Sequence, residues 1–112
     1  MSFIKYKNNN LFVDNTSVKK LTSKFKSPFY LYANSNIVKN YRSFYDNFKK
    51  VSPLICFSVK ANSNIQILKI LKKMGSGADV VSGGELLKAI KSGIKPNKIV
   101  FSGVGKTEDE IK

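Results

Sequence analysis

Apolar positions along the 112-residue chain change their rhythm near its middle. Between Leu11 and Lys26 they come in short pieces, Leu11-Phe12-Val13, Val18 and Leu21, separated by Asn and Ser, which suggests an edge strand or two and a turn. Ser27-Pro28 breaks the chain, and the aromatic run Phe29-Tyr30-Leu31-Tyr32 reads as a strand. Ile37, Val38, Tyr41, Phe44, Tyr45 and Phe48 then follow helical spacing, with Asn34 or Ser35 as cap and an end before Pro53.

From Leu54 the pattern becomes repetitive. Leu54 to Val59 is a continuous apolar run, as in a parallel strand covered on both faces. Ser63-Asn64-Ile65-Gln66 fits a capping box, and Ile67, Leu68, Leu71 and Met74 carry a helix to a stop at Gly75. Ala78 to Val81 repeats the strand, Ser82 to Glu85 the capping box, and Leu86, Leu87, Ala89 and Ile90 the helix, up to Gly93. Ile99-Val100-Phe101 and the box Thr107 to Glu110 begin a third round.

Strand, turn and capped helix recurring at roughly 20-residue intervals predict an α/β fold with a parallel sheet. A doubly wound sheet gives the same local signals. Short, even units without a GxGxxG after the first strand favour the opening units of a (β/α)8 TIM barrel, which needs about 250 residues. The 112 residues are thus expected to be an N-terminal fragment, with an incomplete barrel, a lead-in over 1–27 and barrel units over 28–112.

Charge alters the picture little. Twenty Lys and Arg against seven Asp and Glu give a net charge of +13, which would attract polyanions. The lysines are dispersed along helix faces and loops, and Arg42 is the single arginine, so a basic nucleic-acid-binding module is the distant alternative. Cys56, the sole cysteine, sits in the apolar run, which fits core packing in a reducing compartment. No stretch approaches the roughly 20 apolar residues of a membrane span, and the N-terminus has no signal-peptide h-region, so a cytoplasmic location is expected.

In β/α folds chemistry gathers where strands end. Lys60 stands at the end of the first repeat strand, where partial desolvation makes an amine a usable nucleophile towards an aldehyde such as that of pyridoxal phosphate; solvated surface lysine is the competing reading. Asp79, between apolar neighbours, is costly to bury without a partner, and Lys60 one strand away is the candidate. Ser82 and Glu85 are accounted for as helix caps. Gly103-Val104-Gly105-Lys106 lacks the P-loop spacing and reads as a βα loop. Histidine is absent, which excludes Ser-His, Cys-His and His-metal sites.

FSVKANSN, GSGADVVSGGEL and IVFSGVGKTEDEI, preceded by SPFYLYANSNIVKNYRSFYDNF, resemble in order and spacing the N-terminal part of the diaminopimelate decarboxylase family, pyridoxal-phosphate enzymes on an alanine-racemase-type barrel. Alanine racemases share the KAN core but continue differently, and ornithine decarboxylases differ in the second motif. The resemblance implies decarboxylation of meso-2,6-diaminopimelate to L-lysine, with Lys60 as the Schiff-base lysine, Asp79 and Glu85 near the cofactor and the lysine amine, and Ser82 at the pocket rim. It also implies a homodimer, with phosphate-binding loops and a second-subunit cysteine outside these 112 residues, which alone should be inactive. A non-catalytic pyridoxal-phosphate-binding relative and an ornithine or arginine decarboxylase are the alternatives. Ser58 departs from the family's Ala or Pro, and its hydroxyl is expected to bond a neighbouring carbonyl.

Overall fold

The computed structural model describes residues 3–112, so the first two residues of the expected lead-in lie outside the described residues. Two compact units are present, one running to Asn40 and the other from Tyr41 to Lys112.

In the first unit, β1 (Ile4–Lys7), β2 (Asn10–Val13) and β3 (Thr16–Ser17) form an antiparallel sheet in that order, followed by the short helix α1 (Val18–Thr22). Lys7 pairs with Asn10, which leaves Asn8 and Asn9 as a two-residue hairpin loop. Both have positive φ, 48° and 56°, as the tight turn that matches strand twist requires, and asparagine tolerates it. The pattern from Leu11 onward anticipates β2 and β3. It misses β1, whose residues Ile4-Lys5-Tyr6-Lys7 are all exposed and alternate with lysine.

The aromatic run Phe29 to Tyr32 forms no strand. Strand propensity reflects packing on a paired, half-buried surface, and none of the described strands pairs with this run. Tyr30 is 90% exposed and stacks on Tyr32 instead, ring centroids 6.4 Å apart. Helix α2 (Asn34–Phe48) forms where its periodicity places it and gives way to a 3-10 turn, Lys49–Val51, before Pro53. Its first turn is served from elsewhere: the Asp14 carboxylate accepts from the Ser35 amide at 3.3 Å and from the Ser35 hydroxyl.

The second unit holds β4 (Cys56–Ser58), α3 (Ile65–Lys73), β5 (Gly77–Val80), α4 (Gly83–Lys91), β6 (Ile99–Phe101) and α5 (Glu108–Ile111). The strands are parallel in the order β4-β5-β6, and among the described residues they form an open sheet, not a closed barrel. Helices α3 and α4 stop at Gly75 and Gly93, whose φ values of +94° and +89° are the left-handed conformation that glycine adopts without a Cβ penalty.

Strand β4 is shorter than the apolar run predicts. After Ser58 the chain turns through the 3-10 segment Val59–Ala61, closed by the Asn62 amide donating to the Val59 carbonyl at 3.1 Å. One face of the sheet, carrying Val59, Ala78 and Val80, packs with Leu68, Ala89 and Ile94, and Phe57, Ile99 and Phe101 flank that core. Burying each large apolar side chain there stabilises the unit by about 1.5–3 kcal/mol. Alternation puts Cys56, Ser58, Asp79 and Val100 on the opposite face, where Val100 is 51% exposed among the described residues.

Candidate active site

All four residues singled out in the sequence lie where the parallel strands end. Lys60 is exposed in the turn after β4, Asp79 sits within β5, and Ser82 and Glu85 open α4. A strand fixed by its core face delivers Lys60 to this rim, and Asn64 then starts α3: its Oδ1 accepts from the Gln66 amide at 2.9 Å. Asn64 is therefore the N-cap, in place of the expected Ser63, whose hydroxyl accepts from Lys88 Nζ at 2.8 Å.

Asp79 is partnered, but its hydrogen bonds come from serines and not from Lys60. Parallel register places Ser58 beside Asp79, and Ser58 Oγ donates to Oδ2 at 2.9 Å. Ser102, just past β6, donates through Oγ to Oδ1 at 2.5 Å. The Ser102 and Ser58 hydroxyls hold the Asp79 carboxyl below the ordinary aspartate value, against a smaller opposing effect of burial, and the positive charge of Lys60 adds to the lowering. On the same face, burial chiefly and then the Asp79 charge push the Cys56 thiol up. The expectation that Ser58 bonds a carbonyl is thus corrected: its acceptor is a carboxylate.

Ser82 and Glu85 act as helix caps. Ser82 Oγ accepts from the Glu85 amide at 3.2 Å, and Glu85 Oε2 accepts from the Val81 amide at 2.9 Å, one residue earlier than a standard capping box would have it. Glu110 adds a contact that its own motif does not announce. It completes the capping box with Thr107, and its Oε1 also accepts from the Gly83 amide at 2.7 Å, tying the start of α5 to that of α4. Bonds to the Thr107 and Gly83 amides hold the Glu110 carboxyl below its usual range. The start of α4 is therefore filled by protein groups.

The structure thus brings Lys60, Asp79, Ser58 and Ser102 to one rim and spends Ser82 and Glu85 on the entry to α4. Ser102 was legible only as the residue after the third strand, and Ser58 only as an oddity two residues before a lysine. Chemically, the rim offers a primary amine open to an aldehyde and a carboxylate kept ionised nearby. These residues fit the aldehyde end of pyridoxal phosphate.

Comparison with known proteins gives this geometry its family. The diaminopimelate decarboxylase of Aquifex aeolicus is 44% identical over 111 residues, 97% of this chain and 26% of that protein. That of Helicobacter pylori strain J99 is 50% identical over 94 residues, 84% of this chain and 23% of that protein. The structure of diaminopimelate decarboxylase from M. jannaschii in complex with L-lysine superposes with a TM-score of 0.90 at 37% identity, over 96% of this chain and 26% of that one. The chain thus spans about a quarter of the length of these relatives. Residues 34–112 match the model of the pyridoxal-dependent decarboxylase family, pyridoxal binding domain, and the chain belongs to that family.

Proposed function

We infer that the polypeptide carrying this chain decarboxylates meso-2,6-diaminopimelate to L-lysine, and that Lys60 is the residue to which its pyridoxal phosphate is attached. The observation that carries this reading is the exposed strand-end amine of Lys60 beside an ionised Asp79, within the pyridoxal-binding domain of the family. The relatives named above are diaminopimelate decarboxylases, and one of them binds L-lysine, which supports this substrate over ornithine or arginine.

When bound, pyridoxal phosphate supplies an aldehyde for amines and an electron sink for the charge left at the substrate Cα after carbon dioxide departs. Lys60 Nζ would hold the cofactor through its aldehyde carbon. The Asp79 carboxylate, held ionised chiefly by the Ser102 and Ser58 hydroxyls, would lie on the same rim. Ser82, Glu85 and Glu110 fix the loop after β5 and so hold the rim in place. A cytoplasmic homodimer belongs to the same proposal, which the resemblance of the three motifs supports.

The test is lysine release from meso-diaminopimelate by the full polypeptide with pyridoxal phosphate, together with borohydride reduction and peptide mapping. Lysine release, a label on Lys60 and loss of both in Lys60→Ala are expected. A label without turnover would instead indicate a non-catalytic binder, turnover of ornithine or arginine another decarboxylase, and a label elsewhere would remove Lys60 from its role.

A further inference from the structure

Three adjacent strands present a serine, a carboxylate and a serine side by side. Register sets Ser58 against Asp79, and the Ser102 amide donates to the Val80 carbonyl at 2.9 Å, which pins Ser102 on the other side. Each hydroxyl takes a different carboxylate oxygen, Ser58 Oδ2 and Ser102 Oδ1. A carboxylate with a donor on each oxygen cannot rotate without breaking one of the bonds, and both donors favour its ionised form.

The titratable groups facing Asp79 among the described residues are Lys60, beyond β4, and the Cys56 thiol on β4; from β6 it meets the Ser102 hydroxyl. Lys60 adds the weakest of the effects on this carboxylate, through its charge alone, and Ser58 lies two residues before it on the same piece of chain. Small polar residues at strand ends commonly serve turns. Here the Ser58 hydroxyl is directed across the sheet and not into its own turn.

We propose that Ser58 is a positioning residue: its hydroxyl, paired across the sheet with that of Ser102, fixes the orientation of the Asp79 carboxylate at the rim that carries Lys60. Ser58 touches neither Lys60 nor the cofactor in this role and acts through Asp79 alone. The inference rests on the assignment of Lys60 above, but the contact between Ser58 and Asp79 does not depend on bound cofactor.

The experiment uses the full polypeptide with Ser58→Ala, Ser58→Thr, Asp79→Asn and the double variant Ser58→Ala/Asp79→Asn. In the cofactor-free protein the titration of the Asp79 carboxyl is followed by carbon NMR. Ser58→Ala is expected to move the Asp79 midpoint up, while Ser58→Thr, which keeps a hydroxyl, restores it. In the loaded enzyme Ser58→Ala should lower kcat/KM by roughly three- to tenfold, and the double variant should be no worse than Asp79→Asn alone.

An unmoved Asp79 midpoint in a folded Ser58→Ala protein would overturn the proposal, as would a loss in the double variant beyond that in Asp79→Asn. If Ser58→Ala does not fold, Ser58→Cys, with its weaker donor, should move the Asp79 midpoint the same way and by less, and an unmoved midpoint there overturns it equally. Should the wild-type protein take up no cofactor, the proposed function falls, and the NMR titrations still decide whether Ser58 sets the Asp79 charge.

Discussion

The unit up to Asn40 and the unit from Tyr41 are stabilised by different means. Of the nine apolar side chains buried among the described residues, eight belong to the second unit and only Ala33 to the first. The first unit relies on an antiparallel ladder of short strands and on polar contacts such as the one between Asp14 and Ser35. In the second, a core on one face anchors the strands, and the other face carries Ser58 and Asp79. Rigid placement of Lys60 and Asp79 is therefore a by-product of core packing, and the functional candidates fall where burial is deepest nearby.

The sharpest way to break that comparison is to remove one large side chain from each unit. Leu68 is fully buried, and Leu68→Ala should cost about 2–5 kcal/mol in denaturant unfolding of the full polypeptide, through lost transfer energy and a residual cavity. Phe12 on β2 is only half-buried, and Phe12→Ala should cost about 1 kcal/mol or less. Equal losses would mean that the ladder unit carries hidden packing and that the contrast is wrong.

Legibility in the sequence divides along the same line. The second unit was readable because each repeat states its case twice, once in apolar spacing and once in a helix start such as Ser82 or Thr107. Lys60 and Asp79 stood out because a charge in or just after an apolar strand needs a reason. What stayed hidden depends on register: no local signal in Ser58 or Ser102 says that parallel pairing will aim both hydroxyls at one carboxylate. The first unit misled in both directions. Its exposed β1 offers only the short alternation of Ile4 and Tyr6 with lysine, and the aromatic run at Phe29 to Tyr32 has strand propensity but no pairing partner among the described residues. Likewise, the α2 cap arrives from Asp14, 21 residues before Ser35, beyond any local capping rule.

A smaller effect sharpens the role of caps in the second unit. Ser82→Ala removes the acceptor for the Glu85 amide and should cost about 1 kcal/mol, whereas Ser82→Asp, which retains a capping oxygen, should cost much less. If Ser82 only caps α4, lysine release at saturating cofactor stays unchanged in both variants. A drop in activity at unchanged stability would return Ser82 to the pocket rim.

The smallest predicted effect separates a carboxylate held by a side chain from one held by backbone. Asp14 in the first unit lies below its ordinary value of 3.8 chiefly because the Ser35 hydroxyl donates to it, and Glu110 in the second lies below 4.5 chiefly because the Thr107 amide does. Both are depressed in the folded state, so each contributes stability that is fully present above its unfolded value and lost as pH falls through its folded one. Ser35→Ala removes the leading cause at Asp14, so its midpoint should rise towards 3.8 in a carboxyl NMR titration while Glu110 stays in place. Thr107→Val leaves the Thr107 and Gly83 amides donating and should move Glu110 only slightly. A large shift of Glu110 in Thr107→Val would show that its anchorage is as dependent on one hydroxyl as that of Asp14, and that the second unit owes its firmness to the core alone.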